Sequence, residues 1–380
     1  MFSRLYLHIP WCLAKCGYCA FSSRRGTTAD LAGTVELLLT EMELAVRRFP
    51  ATEPLASLYL GGGTPSLLAP DQVGRLLERS RLLWGHHLSL ESTLEANPGT
   101  VSAERLAGFR AAGITRLSLG AQSFDDNDLT LLGRVHDARQ TGEAMSAARA
   151  AGFDSVGLDL ICGLPGQAPA EWRRQLGMAL DLLPDHLSIY SLTIEEGTPF
   201  SRRYPAGTAE LPDDDLVAAM LEEADTMLTA AGFDHYELAN YAKPGKRSEH
   251  NCGYWRREGC LGLGPSAHSL LLDGWGVRCC NPSDHDEWAA LLRSGSWAAG
   301  EETRLSREEA RAETMFLGLR LSDGIGLDWF EQRFGERLEV VWREPLQRLY
   351  QAGLLRCEAG RLHLTRRGML LSNRVFVEFL

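Results

Sequence analysis

The sequence is poor in features that would take it into or across a membrane. No stretch reaches about 18 uninterrupted apolar residues, so no transmembrane helix is expected. No basic segment and apolar core open the chain. It runs straight into Leu5-Tyr6-Leu7-His8-Ile9, and a cleavable signal is not expected. Positive charge is also scarce. Lys and Arg total 39 against 50 Asp and Glu, a net charge of −11. A nucleic-acid partner wants a basic surface, so none is expected as the main partner, though a local basic patch stays open. Internal repeats and low-complexity segments are absent. Nine cysteines without a secretory signal point to a reducing, cytoplasmic compartment in which thiols stay free for metal. What remains is ordinary. The 380 residues are 44% hydrophobic and 23% charged, enough for one large domain with a smaller one.

Three of the cysteines are not scattered. Cys12, Cys16 and Cys19 form a C-x3-C-x2-C array just after a run that reads as a buried strand. Thiolates are the usual ligands of iron–sulfur clusters, and close spacing on a loop lets several reach one cluster. Three thiolates leave one iron of a four-iron cluster open, and an open metal position is where chemistry happens. Zinc is the competing reading, weakened because no second ligand pair follows nearby. Cys162, Cys252, Cys260, Cys279, Cys280 and Cys357 read as small buried hydrophobes, with a soft metal at Cys279-Cys280 as the alternative.

The order of elements points to an α/β fold. Helical periodicity over 29–48 is followed by a strand at 57–60 that runs into Gly61-Gly62-Gly63-Thr64-Pro65-Ser66. Helix and strand then alternate: helix 71–83, strand 88–95, helix 103–112, strand 116–119, helices 126–132 and 138–151, strand 155–161, helix 169–182, strand 186–192. Such alternation makes a parallel sheet covered by helices, as an open sheet or a barrel. From 193 to about 300 the pattern loosens, with a helix over 213–231, a strand over 234–241, and then loops. A capping box at Ser306-Arg307-Glu308-Glu309 opens three helical patterns and a hairpin around Ala359-Gly360, with a last helix over 369–379. This tail is winged-helix-like. The boundaries expected are 1–200, 201–300 and 301–380.

Polar groups gather at the C-terminal ends of the expected strands, the rim that holds active sites in parallel barrels. The glycine loop would let backbone approach a ligand and expose amide donors, although alone it reads equally as a tight turn. Glu95, Gln122, Arg134 and Asp159 lie at or beyond strand ends. Carboxylates buried there are costly unless paired, and structural ion pairs are the plain alternative.

The cysteine array followed by the glycine loop resembles the radical S-adenosylmethionine (SAM) superfamily. The resemblance implies a partial (β/α)6 barrel and a [4Fe-4S] cluster on Cys12, Cys16 and Cys19, with its fourth iron chelated by SAM. It further implies that Gly62, Gly63 and Thr64 bind the amino group of SAM. Within the superfamily, four stretches look like the coproporphyrinogen III oxidase-like family: His8-Ile9-Pro10-Trp11-Cys12, Gly61 to Ser66, Gly120-Ala121-Gln122-Ser123-Phe124, and Asp159 to Gly166. The likeness spans essentially the whole chain, including the tail. Carried over, it places Tyr6 near the cluster and SAM, and Glu95, Gln122, Arg134 and Asp159 on SAM.

Two branches of that family differ here. The oxidases carry a fourth cysteine two residues after the third, where this chain has Phe21, and an N-terminal extension that this chain lacks. The HemW-like haem chaperones have the shorter array and an H-N-x-x-Y-W stretch, matched by His250-Asn251-Cys252-Gly253-Tyr254-Trp255. Imidazole is a common haem ligand, and tyrosine and tryptophan can flank a porphyrin. His250 is therefore the expected haem ligand, with Asn251, Tyr254 and Trp255 around it. Lys243, Lys246, Arg247, Arg256 and Arg257 would meet the propionates, and His268 reads as structural. The leading expectation is a haem chaperone that delivers haem to acceptor haemoproteins, such as respiratory enzymes at the inner membrane. The alternative is an oxygen-independent coproporphyrinogen III oxidase, an oxidative decarboxylase fed by flavodoxin or ferredoxin.

Overall fold

The computed structural model describes residues 2–49, 53–205, 207–298, 300 and 302–380. Six strands lie side by side, all parallel and in chain order: β1 (Arg4–Ile9), β2 (Leu55–Gly62), β3 (His86–Ala96), β4 (Arg116–Gln122), β5 (Ser155–Cys162) and β6 (His186–Ser191). Helices return the chain between them: α1 (Thr28–Arg48), α2 (Pro70–Trp84), α3 (Ala103–Ala111), α4 (Ala138–Ala151) and α5 (Pro169–Asp181). Local chemistry marks their ends. Thr27 and Asp30 close a capping box at the start of α1. Gly152 ends α4 in the left-handed conformation that a side chain resists. Apolar strand residues such as Leu5, Leu58, Leu94, Leu117 and Leu158 are fully buried beneath the helices. This is the helix-covered parallel sheet expected from the alternation of elements.

The span after 193 departs from expectation. After α6 (Asp214–Ala230), the strand expected over 234–241 is two short pieces, Asp234–His235 and β7 (Asn240–Ala242). They pair antiparallel with each other because the chain turns at 236–239, and β7 pairs antiparallel with β6. The region expected as loops contains α7 (Glu249–Trp255), β8 (Cys260–Leu263), β9 (His268–Leu271), β10 (Val277–Cys280) and α8 (His285–Arg293). β8 joins β1 in parallel, and β9 and β10 continue antiparallel beyond it. Residues 201–300 therefore extend both edges of one mixed sheet, and Trp288 and Leu292 share the barrel core.

The tail has a second core, built from residues such as Met315, Phe330, Phe334, Leu362 and Phe376. Helices α9 (Arg307–Gly318), α10 (Leu327–Phe334) and α11 (Arg343–Gln351) precede the hairpin Leu355–Glu358 and Arg361–Leu364. Ile325–Gly326 adds a third strand to it. The last helix is broken into Arg366–Leu370, Ser372–Phe376 and a terminal turn. Among the described residues no helix is long and apolar enough to cross a membrane. Cys357 is exposed and Cys280 half-buried, so the burial expected of the scattered cysteines holds for the other four.

Candidate functional site

A cavity of about 410 Å³ opens at the C-terminal ends of β1 to β6. Cys12, Cys16, Cys19, Gly62, Gly63, Thr64, Glu95, Gln122, Arg134 and Asp159 all line it. The cysteine loop folds over one side, tied down where Trp11–Cys12 pairs with Arg24–Arg25. Thr64 Oγ1 donates to Cys12 Sγ at 3.5 Å, and Arg134 donates to Cys16 Sγ at 3.5 Å and to the Gly120 carbonyl at 2.7 Å. All three thiols are free and partly exposed, and burial pushes that of Cys19 up. Among the described residues no three thiol, imidazole or carboxylate groups converge on a single point. Three thiols on one short loop at the side of a cavity suit a multi-iron group.

The glycine loop does not work as an array of free amides. Gly62 N donates to Glu95 at 3.1 Å, Gly63 N to the Ile9 carbonyl at 2.8 Å, and Thr64 N to the Trp11 carbonyl at 2.8 Å. Its glycines also serve close packing. A Cβ at position 63 would lie 2.6 Å from the Trp11 carbonyl oxygen, so only glycine lets the loop lie against the cysteine segment.

The acidic wall of the cavity is deeply buried. Glu95 accepts from Tyr59 Oη at 2.8 Å, and burial pushes its carboxyl up to about 7. Asp159 accepts from Ser118 Oγ at 3.1 Å, and burial raises it too. Gln122 sits at a register irregularity between β4 and β5 with φ of 67°, a strained conformation for a side chain at a cavity wall. Tyr6 is not part of that wall. It stacks on Tyr59 at 6.1 Å, with its hydroxyl 3.1 Å from His8 Nδ1.

The H-N-x-x-Y-W stretch lies elsewhere. It forms α7, which packs against the early residues of the strands and floors the barrel. The amides of Glu249 and His250 donate to Glu91 at 3.0 and 2.9 Å. The His250 ring has no exposed surface. Its Nδ1 lies 2.8 Å from Ser57 Oγ and its Nε2 3.0 Å from Tyr254 Oη. Burial, with Arg4 nearby, pushes its pKa down to about 3, so the ring is neutral. Asn251 faces a small polar chamber of about 40 Å³, which shares Glu95, Ser118, Asp159 and Tyr190 with the main cavity. Trp255 points the other way, under the Arg320 guanidinium 4.4 Å from its ring centroid. The motif thus joins barrel and tail, and in this conformation His250 offers no open nitrogen. The cations expected to meet propionates are engaged as well. Arg257 is buried against Glu313 at 2.7 Å, and Arg247 pairs with Asp323 at 2.9 Å. His268 lies on β9, with Nε2 3.4 Å from Cys280 Sγ.

Sequence reasoning passed over Tyr59, Ser57 and Glu91. The signal was there: in Ser57-Leu58-Tyr59-Leu60 the polar-tipped residues alternate with aliphatics, which puts both on one face of the strand.

Comparisons with known proteins agree with this architecture. Residues 6–176 match the radical SAM superfamily model and residues 305–371 the HemN C-terminal domain. The chain is 33% identical to heme chaperone HemW of Bacillus subtilis, over 99% of this chain and 98% of that one. It is 37% identical to heme chaperone HemW of Mycobacterium tuberculosis, covering 98% and 93%. It is 34% identical to the mitochondrial radical S-adenosyl methionine domain-containing protein 1 of Bos taurus, covering 99% and 87%. The fold matches coproporphyrinogen III oxidase (HemN) of Escherichia coli with a TM-score of 0.87 at 24% identity, over 100% of this chain and 90% of that one. On sequence and fold together, the chain belongs to the HemW family of the radical SAM superfamily.

Proposed function

We infer that this protein is a haem chaperone that carries a [4Fe-4S] cluster and SAM and delivers haem to acceptor haemoproteins. The observation that carries the cofactor half is the single cavity ringed by Cys12, Cys16 and Cys19 on one side and by Glu95, Gln122 and Asp159 on the other. Its size suits a molecule such as SAM. Cys12, Cys16 and Cys19 would hold three irons, and a bound, reduced cluster supplies an electron to SAM. Glu95 and Asp159 would meet the cationic and hydroxyl groups of SAM, which gives two costly buried carboxylates their partners. The Gly63 approach keeps the cysteine loop seated over the cavity. Arg134 sets a positive charge beside Cys16 and anchors to β4 through the Gly120 carbonyl.

Haem is cargo here, and its carriage is supported by the relatives named heme chaperone HemW along almost the whole chain. His250 remains the proposed ligand, but it must leave the floor to serve. Phe21 stands where the oxidases have a further cysteine, which favours carriage over decarboxylation.

Three measurements test the reading. Anaerobic cluster reconstitution should yield an iron-loaded brown protein, and Cys16→Ser should lose that iron. Haem-loaded protein mixed with an apo-haemoprotein should pass its haem on. If protoporphyrinogen instead forms from coproporphyrinogen III with SAM and a reductant, the chaperone reading gives way to the enzyme.

A further inference from the structure

His250 is committed twice. Both of its ring nitrogens have partners within the floor, Ser57 and Tyr254, and the ring is out of reach of solvent. A ring that ligates iron must present a free nitrogen and admit a flat macrocycle beside it. Neither is possible while α7 sits under the barrel, so ligation withdraws the ring from the floor. The two amides at the N-terminus of α7 are held by Glu91, so a helix that leaves the floor gives up those bonds as well.

Withdrawal reaches the other site through one residue. Tyr59 is held between two rings, with His250 at 5.0 Å on one side and Tyr6 at 6.1 Å on the other. Its hydroxyl donates to Glu95 at 2.8 Å, and Glu95 walls the cavity. Removing the imidazole opens a gap against Tyr59. A close-packed interior answers a gap by shifting between discrete arrangements. A shifted Tyr59 no longer holds the carboxylate where the cavity needs it.

We propose that haem ligation by His250 and SAM binding in the cavity oppose each other through the chain His250–Tyr59–Glu95. This rests on haem carriage as read above. Coupling between two sites is reciprocal, so each ligand weakens the other by the same factor. SAM then serves as a discharge signal. By restoring Glu95 and Tyr59 it favours the closed floor, and the closed floor has no nitrogen to offer iron.

The test uses the full chain with its cluster reconstituted anaerobically. Haem is titrated with and without saturating SAM, and SAM is titrated with and without haem. Each ligand should raise the dissociation constant of the other by one shared factor, roughly 5- to 150-fold. Tyr59→Phe keeps the ring and deletes the bond to Glu95, so the factor should fall toward one. His250→Ala should abolish the imidazole signature of the bound haem. A factor of one in the unmodified protein, with haem bound through His250, overturns the coupling and leaves haem carriage standing. Haem binding indifferent to His250→Ala also overturns the coupling alone. Failure to bind haem under any condition overturns the proposed function itself. If His250→Ala does not fold, Tyr59→Phe carries the test, because it removes one hydroxyl and leaves the floor packed.

Discussion

Gly253 and Arg4 share one space. A Cβ at position 253 would lie 1.7 Å from Arg4 Nε, the atom that donates to Glu258 at 2.9 Å. The floor helix can press against β1 only because this position has no side chain. Glycine inside a helix ordinarily costs about 1 kcal/mol against alanine. Here the sign should reverse. Gly253→Ala forces Arg4 away from Glu258 and Ser57, and overpacking of this kind costs about 1–3 kcal/mol. A lower urea midpoint for the variant checks it, and a higher one would show that the floor is loosely packed.

Gly63→Ala should separate the two halves of the cavity. The added methyl meets the backbone of Ile9 and Trp11, which cannot yield as a flexible side chain can. The glycine loop and the cysteine segment must part, which disturbs the seat of Cys12 as well as the cavity wall. SAM affinity should fall at least about tenfold, a loss of about 1.4 kcal/mol. Iron content after reconstitution should fall as well, because the same contact seats the cysteine loop. Equilibrium dialysis and iron analysis read the two quantities separately.

SAM binding should weaken as the solution is acidified. Burial holds the Glu95 carboxyl at about 7, so it gains a proton as pH falls through 7. A protonated carboxyl gives a cationic ligand no charge to meet. Affinity should drop by up to roughly tenfold per pH unit below 7, the limit for one linked proton. Glu95→Gln should bind weakly at all pH values and lose the slope. An unmodified protein with flat affinity from pH 6 to 8 would remove Glu95 from the SAM site.

Glu41 predicts the pH dependence of the fold itself. It is wholly buried on α1 and accepts from Gly264 N at 2.7 Å, Asn281 Nδ2 at 2.6 Å and Trp288 Nε1 at 3.1 Å. Burial still pushes it up to about 7. The folded state therefore holds a proton that the unfolded chain releases nearer 4.5. That stabilisation is complete below 4.5 and is lost as pH rises through 7. Between pH 6 and 8 it is worth about 1 kcal/mol. Buried histidines such as His250 pull the other way over this range, so the test is the difference from Glu41→Gln. The stability of the variant relative to the unmodified protein should rise by about 1 kcal/mol from about pH 6 to about pH 8 in chemical unfolding.

Much of this was legible in the chain. Leu58 and Leu60 beside Gly61 to Gly63, or Leu158 and Leu160 ending in Cys162 and Gly163, announce buried parallel strands by composition and period. Thr27, Asp137 and Ser306 announce helix starts because a side-chain cap is local chemistry. The strands β8 to β10 were missed for the opposite reason. Cys260–Leu263 and Val277–Cys280 are four residues each, closely flanked by glycine and proline such as Gly264-Pro265, Gly276 and Pro282. Cys260–Leu263 is a strand because β1 offers it an edge, and β9 and β10 extend the sheet from there. Amide partners for Gly62 and Thr64 were equally invisible, since Glu95 and the Trp11 carbonyl come from other segments of the chain.

The sequence alone determined the order of elements, the cysteine array and the set of polar residues at strand ends, because spacing and periodicity are properties of neighbours along a chain. It also marked His250 to Trp255 as a motif. Which way that motif faces was decided only by the tertiary structure. Closing the barrel brings Ser57 and Tyr59 to His250, where Tyr254 already stands one helical turn away. The same closure puts Trp255 under Arg320 of the tail. A histidine that reads as an open ligand in the chain is a closed floor tile in the fold, because burial and partners depend on what lies across the sheet.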